Sequence, residues 1–458
     1  MTATPELLRK IAAGGYEHAV LVFVDDEGFP LGVASDFEVD AGRGVLRLRV
    51  PAGAGVAPPD GGSVNVIVSH IRPYPDVGYD QRRYVQVWGR VRRDGDALEV
   101  VPDRGHTWNE DEVPFFQYNE VSVPQGHRYL GEVSAEQGRR VRPRLAGGWL
   151  FLRATRLPFL TATIVPVLLG VAAAGVHGRF ELGLAALTLL GAACIHLGLN
   201  VTNDVFDTMS GADAANTTPT QFSGGSRVIH YGLLSLRSMA LMAAGFYATG
   251  MAIGLYLAAT RGWELLWIGA FGVAISIAYT APPIRLVHRG IGEITVALGF
   301  GPIVLLGAYF VQAQRLSWEA AYLSIPVAIL IALVLYVNEV PDRAGDAAAG
   351  KRTLPVRLSK EAVIRGYVAA VAATYAVIAA GAVSGILPRP AIVGLATIPL
   401  ARRVARGLRE SYDDPYALMP TMATNISLHL FTGVLLFAGY LVAIVAGRVL
   451  ADPPLWLT

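Results

Sequence analysis

Two stretches of this chain set acidic residues at helical spacing. The first reads Asn200-Val-Thr-Asn203-Asp204-Val-Phe-Asp207-Thr-Met-Ser210-Gly211-Ala-Asp213. On a helix Asn200, Asp204 and Asp207 fall at i, i+4 and i+7, one above another on a single face. The second reads Asn338-Glu339-Val-Pro-Asp342-Arg-Ala-Gly-Asp346, and places Glu339, Asp342 and Asp346 at i, i+3 and i+7. Two such carboxylate faces suit a hard divalent cation. Mg²⁺ takes oxygen ligands, keeps several waters, and bridges one or two carboxylates to substrate phosphates. Asp204, Asp207, Asp213, Asp342 and Asp346 are the candidate metal ligands. Cys194 is the only cysteine, so neither an intramolecular disulfide nor a cysteine metal cluster can form. The competing reading is of solvated loop acids paired with neighbouring arginines.

Basic residues follow each acidic stretch. Gly224-Gly225-Ser226-Arg227 follows the first, Gly350-Lys351-Arg352-Thr353 follows the second, and Tyr279-Thr-Ala-Pro-Pro-Ile-Arg285 lies between them. Guanidinium and ammonium groups bind phosphate oxygens through charge-assisted hydrogen bonds. That makes Arg227, Arg285, Lys351 and Arg352 candidate diphosphate ligands. The alternative is the bias of Lys and Arg toward cytoplasmic loops, which by itself puts cations here.

The elements that must hold these residues are apolar. Of the 458 residues 53% are hydrophobic and 16% charged, against about 25% charged in ordinary soluble domains. A bilayer crossing takes about 20 residues, and the candidate apolar spans are 149–175, 181–203, 232–258, 262–281, 291–312, 318–340, 361–386, the shorter 390–403, and 420–447. Pro399 interrupts the eighth. Each acidic stretch ends an even-numbered span, four spans apart, as an internal duplication would place them. The segments on one side of this alternation, among them Arg139, Arg289, Arg402 and Arg406, carry 20 Lys+Arg. The other side carries five: Arg179, Arg261, Arg315, Arg389 and Arg448. The excess assigns the first side to the cytoplasm, which leaves the C-terminus outside.

Residues 1–130 are of a different kind, with 13 Lys+Arg against 19 Asp+Glu, while residues 131–458 carry 25 against 17. Neither half is a basic nucleic-acid surface. The β-rich runs His18–Val24, Gly44–Val50, Ser63–Ser69 and Arg83–Arg92 are parted by turn signals at Asp26-Glu27-Gly28, at Ala41–Gly44 and at Asp94-Gly95-Asp96. They predict a small barrel or sandwich over 1–130, joined by the Arg-rich linker 131–148 to a membrane domain over 149–458. The first 20 residues show no basic region followed by an apolar one, so no cleaved signal peptide is evident. The small domain is expected in the cytoplasm.

Residues 149–447 resemble a UbiA-type membrane prenyltransferase, a family of nine-helix proteins with two Asp-rich motifs. The strings Asn203-Asp204-x-x-Asp207, Ser210-Gly211-x-Asp213, Arg289-Gly290-x-Gly292-Glu293 and Gly350-Lys351-Arg352-Thr353-Leu354-Pro-Val-Arg357 are similar to the branch that prenylates 1,4-dihydroxy-2-naphthoate in menaquinone synthesis. At Glu339-Val-Pro the chain departs from that branch's usual residues. The resemblance implies an enzyme of the cytoplasmic membrane. Mg²⁺ on Asp204, Asp207, Asp342 and Asp346 would clamp a polyprenyl diphosphate, and an electron-rich aromatic acceptor would attack the allylic carbon. Asn200 and Tyr279 would position the substrates. Other acceptors of the same chemistry are a hydroxybenzoate, a porphyrin or a glycerol phosphate. The rival outside the enzyme class is a transporter or lipid-binding scaffold, but a transporter places its ionisable groups at broken helices near the midplane.

The run Val85-Gln-Val-Trp88-Gly89-Arg90-Val-Arg-Arg-Asp94-Gly95 resembles the split β-barrel of pyridoxamine-phosphate-oxidase-like flavoproteins. That resemblance implies FMN or F420 held through Arg47, Arg49, Ser69 and Arg90, a homodimer through the barrel, and a redox service to a quinonoid substrate. The alternative is a barrel that only dimerises or docks.

Overall fold

The computed structural model describes residues 4–25, 27–51, 57–73, 79–141 and 146–451. Asp26, Arg142, Arg144, the side chain of Arg448 and the expected exterior C-terminus lie outside these residues. The chain divides into two units, Met1–Ala146 and Gly147–Thr458.

The first unit opens with α1 (Thr4–Ala13) and continues as β1 (His18–Val24), β2 (Pro30–Asp40), β3 (Val45–Arg49), β4 (Ser63–Pro73), β5 (Tyr79–Asp94), β6 (Ala97–Asn109) and α2 (Phe115–Glu136). The strands close an antiparallel barrel in the order β1-β2-β3-β6-β5-β4, with β4 pairing back onto β1. Alternate residues Leu21, Phe23, Leu46, Leu48, Val64, Val66, Val85 and Val87 fill its interior, and Leu7, Leu8 and Ile11 of α1 join them. The register of β5 against β6 shifts between Trp88 and Gly89. A Cβ on Gly89 would lie 2.1 Å from the Val101 carbonyl, so only glycine fits that bulge. The bulge reverses which face of β6 points inward, a common use of bulges. Arg104, His106 and Trp108 are thereby aimed outward and buried near α2. His106 Nε2 lies 2.8 Å from the Tyr118 hydroxyl, which donates to Gln86 at 3.0 Å, and Arg104 pairs with Glu132 at 2.9 Å. Burial pushes the His106 imidazole down to about 4.

Two expectations for this unit need correction. The sheet has two strands beyond the four β-rich runs, β2 and β6, and the boundary expected at 130 between strand domain and linker falls inside the 22-residue helix α2. Its apolar face, Tyr118, Tyr129 and Val133, is sparse and interrupted by Pro124.

The second unit is helical. It comprises α3 (Gly147–Thr155), a 3₁₀ turn Leu157–Leu160, α4 (Thr161–Val176), α5 (Leu182–Ser210), α6 (Ala212–Ala215), α7 (Leu236–Arg261), α8 (Glu264–Thr280) and α9 (Gly292–Leu298). A π turn Gly299–Ile303 then leads into α10 (Val304–Ala313), α11 (Trp318–Ala348), α12 (Leu354–Arg357), α13 (Lys360–Ser384), a 3₁₀ segment Arg389–Thr397, α14 (Ile398–Ser411) and α15 (Met419–Ala451). Among the described residues seven segments are long and apolar enough to cross a bilayer. The fourth expected span is α8, apolar but short, and the eighth is a 3₁₀ segment running into the arginine-rich α14. The first is not continuous from 149. Arg156 takes a left-handed conformation (φ 53°) that parts α3 from the span Leu157–Val176. Tyr309, Leu323, Val327, Leu436 and Tyr440 pack where α4, α10, α11 and α15 meet.

Candidate active site

α5 stops where Gly211 adopts φ +80°, a left-handed C-terminal cap. Asp204 and Asp207 are thus left in its last turns, both buried. The chain returns through α6 and a loop whose Gly224 and Gly225 have φ +77° and +72°. The turn aims backbone N–H groups at acids of both motifs. Gly224 donates to Asp342 Oδ2 at 3.0 Å, and Ser226 donates to Asp204 at 3.2 Å. Asn216 donates its side-chain N–H to Asp342 Oδ1 at 2.8 Å. A Cβ on Gly225 would stand 3.0 Å from Asp213 Oδ1 and 3.1 Å from Asp204 Oδ1, so these two carboxylates converge on a position only glycine can border.

Lys351 joins the motifs from the other side. Its Nζ lies 2.9 Å from Asp207 Oδ1 on α5 and 3.6 Å from Asp346 Oδ1 on α11. Burial alone would lower the ammonium pKa, but Asp207 and Asp346 outweigh it and hold the group above the usual lysine range. Asp213 accepts from Thr208 at 3.0 Å. Burial, then the charges of Asp204 and Asp207, push its carboxyl up to about 7.

These residues surround a cavity of about 180 Å³. Asn200, Asp207, Asp213, Tyr279, Asp342, Asp346 and Lys351 line it, and Asp204 lies behind Gly225. Asn200 also donates to the Thr155 carbonyl at 3.0 Å. Three expected phosphate ligands do not line it. Arg227 is buried, with its guanidinium on the carbonyls of Asp213 and Asn216, so it props the loop. Arg352 is exposed and Arg285 half-buried, both off the cavity wall. The arginine that does line it is Arg156, at the left-handed break before α4. Its sequence signal is Arg156-Leu157-Pro158 at a helix end, where a cation equally satisfies the bias of Lys and Arg toward cytoplasmic loops. Glu339, also on the wall, and Glu293 are buried with one carboxyl oxygen each lacking a partner.

Among the described residues no three His, Cys, Asp or Glu side chains form a ready-made metal cage. The donor set still fits Mg²⁺, which needs only one or two carboxylates besides phosphate and water. The carboxylates of Asp207, Asp213, Asp342 and Asp346, all on the cavity wall, provide them, with Asp204 next to Asp213 behind Gly225.

A second cavity, about 560 Å³ and apolar, runs among α5, α7, α8, the π turn and α10. Glycines 191, 250, 254, 269 and 272 open its walls. His196, Leu199, Tyr279, Val296 and Phe300 line both cavities and form the neck between them.

In the barrel the four expected cofactor ligands are not brought together. Arg47 pairs with Asp94 at 2.7 Å and Arg49 with Glu38 at 3.2 Å, beside a shallow pocket. Arg90 pairs with Glu136 at 2.9 Å in a different cleft, and the buried Ser69 lines neither. FMN or F420 held by these four residues at one phosphate does not fit.

Residues 163–431 match the UbiA prenyltransferase family. The 2-carboxy-1,4-naphthoquinone phytyltransferase of Synechocystis sp. is 29% identical over 294 residues, covering 64% of this chain and 92% of its own. The 1,4-dihydroxy-2-naphthoate octaprenyltransferase of Bacillus subtilis is 24% identical, covering 69% and 99%. That of Mycobacterium tuberculosis is 31% identical, covering 55% and 82%.

Proposed function

This chain belongs to the UbiA prenyltransferase family, and on that premise we propose that it moves a polyprenyl group from an allylic diphosphate to a dihydroxynaphthoate-like acceptor. The observation that carries the proposal is the pair of joined chambers. One is lined by acids and by the cations Arg156 and Lys351, the other is apolar. A diphosphate and its hydrocarbon tail need just those two environments. The naphthoates named in the relatives support the acceptor class.

Asp204, Asp207, Asp213, Asp342 and Asp346 would hold Mg²⁺, which when bound supplies positive charge to the leaving diphosphate. Lys351 and Arg156 bind phosphate oxygens by charge-assisted hydrogen bonds. The apolar chamber takes the tail and keeps water from the allylic carbon. The carbon–oxygen bond to diphosphate breaks, a bond to an aromatic carbon forms, and that carbon gives up the substituent it carried. Purified protein is incubated with Mg²⁺, an allylic diphosphate and a panel of aromatic acceptors, and the products are weighed by mass spectrometry. A prenylated naphthoate is expected. No prenylated product from any acceptor would overturn the proposal.

The cation bias of the loops supports a cytoplasmic-membrane protein whose acidic chamber opens to the cytoplasm. For the barrel we infer kinship with pyridoxamine-phosphate-oxidase-like split barrels and a role in homodimer formation. Cross-linking of the full chain with and without residues 1–140 tests it, and an equal dimer yield would refute it.

A further inference from the structure

The neck between the chambers holds two polar side chains, Tyr279 and His196. His196 lies one turn before Asn200 and two before Asp204, on the same face of α5. It is 6% exposed. Its Nδ1 is 2.7 Å from the Thr163 hydroxyl on α4, and its Nε2 has no hydrogen bond among the described residues. The ring stands edge-on to Phe300, 4.6 Å between centroids at 61°. Phe300 belongs to the π turn Gly299–Ile303, an irregularity of a kind found often at functional sites. Two neighbours thus fix the imidazole from different sides, while one nitrogen is left over.

The proposed reaction decides what that nitrogen meets. A substrate with its diphosphate beside Asp207 and Lys351 and its tail in the apolar chamber has its first allylic carbon in the neck. The attacking carbon must come within about 3–3.5 Å of it, so the acceptor ring also has to enter the neck. Leu199, Val296 and Phe300 offer that ring only apolar surface. A phenolic hydroxyl both donates and accepts, and so pairs with Nε2 in either imidazole tautomer.

We propose that His196 is the acceptor-positioning residue: its Nε2 binds a ring hydroxyl of the aromatic acceptor and turns the nucleophilic carbon toward the allylic carbon. The inference rests on the prenyl-transfer reading above. It is tested on the full-length protein in detergent by steady-state kinetics with 1,4-dihydroxy-2-naphthoate and by fluorescence titration with 1-hydroxy-2-naphthoate. His196→Leu is expected to raise the KM for the acceptor at least tenfold and to weaken naphthoate binding likewise, with the KM for the diphosphate within twofold of wild type. His196→Gln, which keeps a hydrogen-bonding end, is expected to recover most of the loss. Thr163→Val, which removes the helix tie but keeps the imidazole, is expected to shift the acceptor KM less than threefold. Equal shifts in both KM values, or a Thr163→Val variant that matches His196→Leu, would show a tie between helices and overturn the proposal. So would unaltered naphthoate binding by His196→Leu. Wild-type protein that neither binds the naphthoate nor forms product would instead overturn the acceptor reading, and this inference with it.

Discussion

Lys351→Met tests how the two acidic motifs are held together. The ammonium lies 2.9 Å from Asp207 and 3.6 Å from Asp346, all three side chains being at most 12% exposed. At an effective dielectric constant of about 20, those separations give attractions of about 6 and about 5 kcal/mol. Burying the charges takes much of that back. Removing one partner from a buried pair nevertheless costs about 3–5 kcal/mol, because it strands the others. With an unfolding entropy of about 2.1 cal/mol/K per residue, a helical unit of this size should lose roughly 5–8 °C in Tm. The variant keeps the apolar stem, so the loss reports charge and not packing. Mg²⁺ should then return more to the variant than to wild type, because it replaces the missing positive charge between the same oxygens. The assay is thermal unfolding in detergent, with and without millimolar Mg²⁺. A variant within 2 °C of wild type whose Tm responds to Mg²⁺ no more than wild type does would refute the reasoning.

Asp204→Asn and Asp342→Asn should each lower prenyl transfer at least about 100-fold, the scale of losing one charge-stabilising group, while the protein still accumulates in the membrane. Turnover with labelled diphosphate checks this, and near-normal rates at limiting Mg²⁺ would remove both from the metal set. Gly225→Ala forces a left-handed alanine, at about 1–2 kcal/mol, and brings a methyl to 3.0–3.1 Å from two carboxylate oxygens. Its Tm and its turnover should both fall, and unchanged turnover would show that the loop does not shape the site. In the barrel, His106 is held at about 4 when folded, against about 6.5 in an unfolded chain. The neutral ring is therefore favoured by folding, and that stability is complete above about pH 7 and lost as pH falls toward 4. Hydrogen exchange in β5 and β6, corrected for intrinsic rates, should speed up over that window in wild type and much less in His106→Phe.

The membrane helices were legible because apolar length leaves few alternatives, and the barrel was less so. β1 is found at His18–Val24 as read, since its side chains alternate between buried and partly exposed positions. β2 does carry the period of two, with Leu31, Val33, Phe37 and Val39 packing partly buried against the barrel core between the exposed Gly32, Ala34, Asp36 and Glu38. Its alternation is legible in the sequence, although only the acidic and small residues between are conspicuous. β6 has no continuous apolar alternation, because Arg104 and His106 stand at alternate positions of its second half. Only the bulge at Gly89 and the helix α2 make that face an interior.

The site shows the same division between period and tertiary contact. Helical spacing placed Asp204 with Asp207 and Asp342 with Asp346 on single faces, because both pairs lie within one helix each. The cations depend on chain reversals, which spacing does not encode. Arg227 and Lys351 each follow a glycine turn after an acidic motif, yet Arg227 spends its guanidinium on loop carbonyls while Lys351 reaches Asp207. The difference follows from geometry. Arg227 itself takes a left-handed φ of 61°, which turns its side chain toward Asn216 beneath the loop. Lys351 is instead anchored by its own N–H on the Asp346 carbonyl at 2.8 Å, at the end of the helix that carries the second motif. Arg156 completes the argument, since a left-handed break at the start of a span turned an arginine counted only for topology into a wall of the acidic chamber. Where a cation faces is decided by the backbone conformation of the turn that carries it, and in this chain those turns bring both motifs to one cavity.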